Sequence, residues 1–326
     1  MTKQAKMTTT EVKIISASRR TDIPAFYSEW LINRIREGWC LVPNPLNYNQ
    51  LLFVSLKPEN VAALVFWSKN PDPMIKYLTE IDNRGFRYYF QFTLNDYPGI
   101  LEPRIPNINE RIQTFQILSE KIGSERVIWR YDPIIISNYT PPEYHIEKFY
   151  KISSALERYT NRVMVSFVDY YQKTNHSLSR LEDPGIQFDK EVVDTQVAFE
   201  LLKELHEIAS ARGIEIFTCA EDRDFSDTGV TPGGCIDGEL LNKLWSLKGN
   251  YQKDKTQRKS CLCVSSRDIG INDTCPHGCP YCYSTRNIDL ARNRYAEHHP
   301  NSPVIWGKTR ELTEAEKAIL TSRRLL

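Results

Sequence analysis

The chain has 326 residues, of which 41% are hydrophobic and 25% are charged, and its formal net charge is +1. This composition is that of an ordinary globular protein with a substantial core, and the net charge excludes a chain-wide field that would attract polyanions. The polar N-terminal sequence MTKQAKMTTT lacks the apolar core of a signal peptide, and no apolar run approaches the roughly 18–20 residues that span a bilayer. We therefore predict a soluble, cytoplasmic protein without a membrane partner.

Strand-like and helix-like patterns alternate along the first two thirds of the chain. Short runs rich in β-branched and aromatic residues are typical of strands, and they occur at Val12–Ala17, Ala63–Trp67, Arg87–Thr93, Arg126–Tyr131, Arg162–Val168 and Glu215–Cys219. Amphipathic stretches predict helices at Ser28–Glu37, Asp72–Arg84, Asn109–Ile122, Pro142–Tyr159 and Asp189–Ala211. Such alternation indicates parallel strands joined by helical crossovers. We predict an α/β fold, specifically a partial or complete TIM-like (β/α) barrel, with an open doubly wound sheet as the alternative and Leu51–Val54 as an extra or edge strand.

Hydrogen-bonding or charged side chains follow every predicted strand. In chain order they are Ser18 to Asp22, Ser68 to Asn70, Gln91 with Thr93 and Asn95, Arg130 with Asp132, Ser166 with Asp169 and Tyr170, and Cys219 with Glu221 and Asp222. In an α/β barrel the carboxyl ends of the strands converge on one mouth, where active sites lie. Polar loops account for any one of these residues alone, but their presence at all six ends favours a polar pocket.

The cysteines are distributed unevenly. Cys40 stands alone beside Trp39 and is expected to be a small buried hydrophobic residue, whereas the other seven of the eight lie between positions 219 and 282. In a reducing compartment, clustered cysteines indicate metal binding or catalysis rather than disulfides. The densest group is Cys275-Pro-His-Gly-Cys279-Pro-Tyr-Cys282, in which proline and glycine favour a tight, non-helical loop.

Three neighbouring thiolates suit an iron–sulfur cluster. Because a four-iron cluster normally takes four cysteines, three ligands leave one iron open, and an open metal position indicates chemistry rather than structural support, as at catalytic zinc sites. His277 lies inside the loop, where a hydrogen bond to a cluster sulfur, solvent exposure or metal ligation are the open alternatives.

The four remaining clustered cysteines form a complete ligand set of their own. Cys219 ends a predicted strand, Cys235 lies in a glycine-rich turn, and Cys261 and Cys263 share a short loop. Four thiolates close a second, auxiliary iron–sulfur cluster or a structural zinc site. We favour the iron–sulfur cluster because the neighbouring loop already implies cluster assembly, with free thiols as the alternative.

The composition changes after Asp222, which predicts three regions. Residues 11–222 form the α/β barrel, residues 223–300 a cysteine-rich iron–sulfur segment, and residues 301–326 a tail in which Thr313 and Glu316 read as the capping box of a short helix. The C-terminal part also carries basic residues at Arg286, Arg292, Arg294, Lys308, Arg310, Arg323 and Arg324. Acidic residues are interleaved with them, so a solvated face is favoured over a nucleic-acid interface.

The cysteine loop resembles the signature of the radical S-adenosylmethionine (radical SAM) enzymes, in which three cysteines are spaced by three and then two residues and an aromatic residue precedes the third. Cys275, Cys279 and Cys282 match this spacing, and Tyr281 fills the aromatic position. From about residue 14 to about residue 310, the chain is also similar to a catalogued, functionally uncharacterised radical-SAM-like family through SASRRTDIP, VFWSKNP, VIWRYDPI, VSFVDYY, TCAE, CIDGELL, SRDIG and the cysteine loop. Ordinary radical SAM enzymes carry the loop after the first strand, where this chain has SRRTDIPAF. The resemblance therefore implies that a C-terminal lobe folds over the barrel mouth.

The resemblance implies a [4Fe-4S] cluster that binds SAM and cleaves it to a 5′-deoxyadenosyl radical, which abstracts hydrogen from a substrate that the sequence does not identify. It also implies an electron donor such as flavodoxin or ferredoxin. The expected partners of the methionine carboxylate or the ribose are Lys69, Asn70 and Arg130, with structural ion pairs or hydrogen bonds as the alternative. Tyr281 is also expected to be a cofactor-binding residue.

The competing hypothesis is a non-catalytic module, stabilised by zinc or a cluster, that binds nucleic acid or protein. Zinc ribbons prefer paired Cys-x2-Cys knuckles, and this chain has one such pair, Cys279 and Cys282. The polar strand ends also fit a pocket better than a docking surface, so we favour the enzyme.

Overall fold

The computed structural model describes residues 12–182 and 185–321. Its centre is one parallel sheet of eight strands in the order β10-β1-β4-β5-β6-β7-β8-β9, with a separate antiparallel hairpin of β2 and β3. The strands are β1 (Lys13–Ala17), β2 (Trp39–Asn44), β3 (Asn47–Ser55), β4 (Val61–Ser68), β5 (Tyr88–Thr93), β6 (Val127–Ile134), β7 (Arg162–Phe167), β8 (Glu215–Cys219), β9 (Thr231–Gly233) and β10 (Arg267–Asp268). The predicted region limits at residues 11 and 326, the MTKQAKMTTT segment, and Arg323 and Arg324 lie outside the described residues.

Helices connect most of the consecutive strands of the sheet. In the described part of the chain they are α1 (Ile23–Phe26), α2 (Ser28–Glu37), α3 (Asp72–Ile75), α4 (Leu78–Asn83), α5 (Ile108–Ile122), α6 (Pro142–Leu156), α7 (Gln172–Glu182), α8 (Gln196–Ser210), α9 (Gly238–Trp245), α10 (Ile288–Ala296) and α11 (Glu314–Thr321). The predicted alternation of parallel strands and helical crossovers is confirmed. No helix among these has both the length and the apolar character required to cross a membrane.

The two faces of the sheet have different coverings because successive side chains of a strand point to opposite sides. On one face, residues such as Phe66, Phe90 and Trp129 join the buried side chains of the crossover helices in the main core. On the other face, residues such as Val65, Tyr89 and Met164 pack against the segment that follows β9. The Tyr89 hydroxyl and the Gln91 amide both donate to the Cys235 carbonyl, at 2.7 and 2.8 Å. The cysteine-bearing segment thus covers the face of the sheet that carries Val65, Tyr89 and Met164, which we call the inner face.

The sheet is not closed, so a complete barrel is not formed. Among the described residues, the edge strands β9 and β10 pair with β8 and β1 and not with each other. These edges have only three and two residues, which is too short for an extended ladder of hydrogen bonds across the gap. Strand numbers rise steadily from β1 to β9, without the reversal of order that marks a doubly wound sheet.

Element boundaries differ from the predictions at a few places. The predicted helix Asp72–Arg84 is divided into α3 and α4, and the predicted helix Asp189–Ala211 begins only at Gln196, because Thr195 is extended with φ −103° and ψ 166°. The predicted strand Leu51–Val54 lies within β3 and pairs with β2 instead of the main sheet. Cys40 is fully buried, as predicted.

The C-terminal part returns to the first strand of the sheet. Ile15 of β1 lies opposite Arg267 of β10, and Ser16 lies opposite Asp268. The Asp268 carboxylate accepts five hydrogen bonds, from the hydroxyls of Ser16 and Ser18, the amides of Arg19 and Gly270, and Nε of Arg20. This carboxylate therefore ties the loop after β1 to the segment that leads into the cysteine loop.

The tail helix begins with the predicted capping box. The Thr313 amide donates to Glu316 Oε2 at 2.8 Å, and the Glu316 amide donates to Thr313 Oγ1 at 3.3 Å. These reciprocal bonds satisfy amides that α11 leaves free at its first turn, so this prediction is confirmed.

Candidate functional site

A cavity of about 950 Å³ opens at the carboxyl ends of the strands, and it contains all seven clustered cysteines. Its wall includes Arg19 after β1, Trp67 of β4, Arg130 of β6, Ser166 of β7 and Cys219 of β8. The cavity therefore lies where the parallel strands end, as the polar strand ends predicted. It is at the upper end of the range of roughly 300–1,000 Å³ for ligand pockets.

The cysteine loop, residues 275–282, turns tightly at Gly278. Gly278 has φ +77°, a backbone conformation that favours glycine. The Cys282 sulfur accepts the amides of Ser284 and Thr285, both at 3.4 Å. Amides directed at sulfur are typical of cysteines that ligate iron–sulfur clusters, because they stabilise thiolate charge.

The Asp22 carboxylate anchors the loop to the end of β1. Asp22 Oδ2 lies 2.9 Å from His277 Nε2, and Asp22 Oδ1 accepts the Ser68 hydroxyl at 2.6 Å. His277 and Asp22 are both nearly fully buried, and their contact directs Nε2 to a carboxylate instead of a sulfur. The Tyr27 hydroxyl adds a second tie, because it donates to the Thr274 carbonyl at 2.6 Å.

A buried ion-pair network fixes Tyr281, the aromatic residue of the loop. Glu102 Oε1 accepts the Tyr281 hydroxyl at 2.5 Å and Lys69 Nζ at 2.8 Å, and Arg111 Nη2 lies 3.6 Å from Oε2. Burial opposes ionisation of Glu102, but the charges of Lys69 and Arg111 outweigh it and hold the pKa of Glu102 below its ordinary value. Lys69 and Tyr281 line the cavity, but the charged or polar end of each is bound to Glu102. Lys69 therefore forms a structural ion pair with Glu102, which was the alternative to a contact with the cofactor.

Arg130 extends across the cavity floor towards the other cysteines. Its Nη1 donates to the Cys235 sulfur at 2.6 Å, its Nη2 pairs with Asp132, and its guanidinium stacks 4.8 Å from the Trp67 ring centroid. Asp132 also accepts the Ser166 hydroxyl. Arg130 therefore belongs to the neighbourhood of Cys235 more than to that of the cysteine loop.

The second group of cysteines, Cys219, Cys235, Cys261 and Cys263, lies together in the cavity wall. The sulfurs of Cys219 and Cys235 are 2.8 Å apart. Two glycines permit this approach, since a Cβ at Gly233 would lie 2.9 Å from Phe217 Cβ, and one at Gly234 would lie 3.0 Å from the Leu262 carbonyl oxygen. We refer to these four residues as the wall cysteines.

The thiols differ in their tendency to ionise. Burial raises the pKa of Cys275 well above its ordinary value and that of Cys279 to about 12. A hydrogen bond from Cys235 and the charge of Arg130 lower the pKa of Cys219 to about 7, against the effect of burial. Hydrogen bonds from Cys235 and Cys261 also lower the pKa of Cys263.

Within the described ranges, no group of three or more His, Cys, Asp or Glu side chains is arranged to hold a metal ion. The thiols are therefore neighbours and do not form a finished coordination shell. The donor set still fits iron–sulfur chemistry in type and number, since seven thiols line one cavity and three of them belong to one short loop.

The other predicted site residues divide between the cavity and the surrounding scaffold. Thr93, Asp132, Ser166 and Asp169 line the cavity, whereas Asn70 is not among its lining residues. Asn95 supports Asp132 through both main-chain groups of that residue. Glu221 accepts the Phe167 amide at 2.8 Å, and burial raises the pKa of Glu221 to about 7.

Arg19 is a site residue whose importance the sequence indicated only through its position after a strand. Its guanidinium lies 5.4 Å from the Trp67 ring centroid, on the cavity wall. Its Nη2 is buried and has no hydrogen-bond partner among the residues that the structure describes. Arg19 therefore brings a positive charge to the cavity without an ion pair in the described part of the chain.

The basic residues of the C-terminal part mostly pair with acidic neighbours. Arg286 pairs with Asp273 at 3.5 Å, Arg292 with Asp289 at 3.3 Å, and Arg310 with Glu316 at 2.6 Å. Arg294 donates to the Asn272 carbonyl and stacks on Trp306, and Lys308 donates to Asn49. These pairs agree with the prediction of a solvated face.

Comparison with known proteins identifies the family of the chain. A search of curated proteins finds no match. A family described as "Domain of unknown function (DUF1848)" matches residues 14–284, a range that includes all seven clustered cysteines. The match covers most of the 326 residues, and the chain belongs to the DUF1848 family.

Proposed function

We propose that this protein is a radical SAM enzyme in which Cys275, Cys279 and Cys282 hold a [4Fe-4S] cluster whose fourth iron binds SAM. The observation that carries the proposal is the position of the cysteine loop. The Tyr283 hydroxyl donates to the Arg19 carbonyl and the Ser284 hydroxyl to the Arg20 carbonyl, both at 2.7 Å. The residues directly after the cysteine loop thus contact those that follow β1, and His277 within the loop contacts Asp22. Ordinary radical SAM enzymes carry their own cysteine loop at this position. A C-terminal loop in the same place supports the same cofactor.

A [4Fe-4S] cluster held by Cys275, Cys279 and Cys282 would supply one electron for the reductive cleavage of SAM to methionine and a 5′-deoxyadenosyl radical, the species that would abstract hydrogen from the substrate. The chain's own residues orient the ligands and exclude water. The network of Glu102, Lys69 and Tyr281 holds the third cysteine of the loop against the sheet, and the pair of Asp22 and His277 holds the first. Loop geometry therefore depends on two buried carboxylates.

The cavity has room for SAM and a substrate on the inner face of the sheet. Its wall combines the Trp67 ring with the hydroxyls of Thr93 and Ser166, which suits a ligand with both apolar and polar groups. In this proposal the open, singly wound sheet is a partial (β/α) barrel, and the C-terminal lobe covers its mouth. The protein acts in the cytoplasm, and flavodoxin or ferredoxin supplies the electrons.

The test is the reductive cleavage of SAM by the full chain. The protein is purified and reconstituted with iron and sulfide under anaerobic conditions and then incubated with dithionite and SAM. We expect 5′-deoxyadenosine and methionine, detected by mass spectrometry. The Cys279→Ala variant should form neither, whereas the Cys40→Ala variant should match the parent, because Cys40 is buried outside the cavity. A reconstituted protein with a complete cluster and no 5′-deoxyadenosine would refute the proposal.

A further inference from the structure

We propose that the four wall cysteines, Cys219, Cys235, Cys261 and Cys263, hold a second [4Fe-4S] cluster. This inference is separate from the proposed function, because none of its ligands belongs to the cysteine loop. Four protein thiolates complete the coordination of a four-iron cluster. The second centre therefore has no open iron and binds no substrate directly.

The four thiols form one continuous group, although they come from three separate parts of the chain. The Cys219 sulfur lies 2.8 Å from that of Cys235, and the Val264 amide donates to the Ile236 carbonyl at 2.9 Å, which brings Cys263 beside Cys235. The Ser260 hydroxyl donates to the Ala220 carbonyl at 3.1 Å, which brings Cys261 beside Cys219. The fold brings these parts together through the pairing of β8 with the short strand β9 and through an isolated antiparallel bridge between Lys253 and Val264. Backbone pairing therefore gathers four thiols from distant positions into one wall of the cavity.

Two arginines provide the charge that an anionic cluster requires. Arg130 Nη1 already donates to the Cys235 sulfur at 2.6 Å, and the Arg19 guanidinium lies 5.4 Å from the centroid of the Trp67 ring that Arg130 also contacts. Arg130 is only 7% exposed, and a buried charge is destabilising unless it is paired. Asp132 neutralises one of the two guanidiniums, so a net positive charge faces the wall cysteines. The Ile236 amide adds a donor, at 3.4 Å from the Cys263 sulfur.

The short contacts between these thiols are compatible with cluster binding. A cysteine side chain has a single rotatable bond that positions its sulfur, with three staggered rotamers. Rotation about that bond moves a sulfur while the backbone stays in place. The inference rests on four thiols in one cavity wall and on the two arginines beside them.

The test compares metal and sulfide content in three full-length variants reconstituted under anaerobic conditions. The loop variant carries Cys275→Ala, Cys279→Ala and Cys282→Ala, the wall variant carries alanine at all four wall cysteines, and Cys40→Ala is the control. We expect about eight iron and about eight sulfide per chain in the parent and the control. The loop and wall variants should each retain about half, with a four-iron Mössbauer spectrum.

Each result bears on one centre only. A loop variant that contains no iron overturns the second cluster, as does a loop variant that contains zinc in place of iron. A parent with about four iron per chain overturns it when the wall variant keeps all of that iron. If the wall variant does not fold, the iron contents of the parent and the loop variant still decide. Loss of SAM cleavage in the loop variant with half of the iron retained would leave both centres supported, because the two ligand sets are distinct.

Discussion

The Glu102 network makes a quantitative prediction about how the cysteine loop is held. The side chains of Glu102 and Arg111 are 2% and 3% exposed, and that of Lys69 is 15% exposed. Glu102→Gln removes the only charge of the network that opposes the two cations, and breaking a buried ion pair by loss of one partner costs about 3–5 kcal/mol. Tyr281→Phe removes one hydrogen bond to a charged group, which is worth about 1.5–3 kcal/mol.

The two substitutions should not be additive. With Gln at position 102, the Tyr281 hydroxyl donates to a neutral amide and its bond is weaker, so the double variant should be more stable than the sum predicts by about 1 kcal/mol. The free energy of unfolding is measured by urea titration, followed by circular dichroism. The matched control is Glu80→Gln, because Glu80 pairs with Arg36 and Arg84 at the surface and should lose no more than about 1 kcal/mol. If Glu102→Gln is no more destabilising than this control, the reasoning is refuted.

Three other predictions concern the loop, its anchor and a buried histidine. Gly278→Ala should destabilise the protein by about 1–2 kcal/mol, because alanine is strained at positive φ, and it should lower the iron content. The control is Gly99→Ala, whose added Cβ meets no atom within 4 Å and should change neither quantity. Equal effects of the two substitutions would contradict this prediction. Asp22→Asn should weaken the contact with His277, which should lower the free energy of unfolding by about 1.5–3 kcal/mol and reduce the iron bound by the cysteine loop. An unchanged iron content would show that Asp22 does not anchor the loop. Burial lowers the pKa of His145 to about 4 from 6.5, so the unfolded chain binds the proton more tightly and stability falls as the pH drops from about 6.5 to about 4. This difference between the two pKa values of His145 corresponds to about 3 kcal/mol of stability. His145→Gln should therefore flatten the pH dependence of the free energy of unfolding in this range, measured by urea titration at several pH values. A variant with the same pH dependence as the parent would exclude His145 as its cause.

The strands of the sheet were predictable because their patterns are local. Each of the six predicted strands is buried and rich in β-branched or aromatic residues, and each occurs in the structure. The sequence did not predict α7, in which only Thr174 and Leu178 are buried, because its two leucines are too few to mark an apolar stripe. The failure of the sheet to close depends on the short edges β9 and β10, which no local pattern reveals.

The cysteines that line the candidate site could be predicted from the sequence, but the residues that support them could not. The spacing of Cys275, Cys279 and Cys282 is visible in the sequence, and so is the excess of the wall cysteines. The partner of Lys69 is not visible, because Glu102 lies 33 residues away in a loop. The proximity of the two cysteine groups likewise depends on the pairing of β10 with β1, which joins residues about 250 positions apart. Long-range pairing of this kind leaves no periodic trace in either segment.

The proposed function requires a cluster in the cysteine loop with one iron open to SAM. The electron paramagnetic resonance spectrum of the dithionite-reduced protein, recorded before and after addition of SAM, tests this requirement. We expect SAM to change the g values of one reduced cluster signal in the parent, and we expect that signal to be missing from the variant that lacks Cys275, Cys279 and Cys282. A parent with its full iron content and the same spectrum with and without SAM would show that no iron is open to SAM.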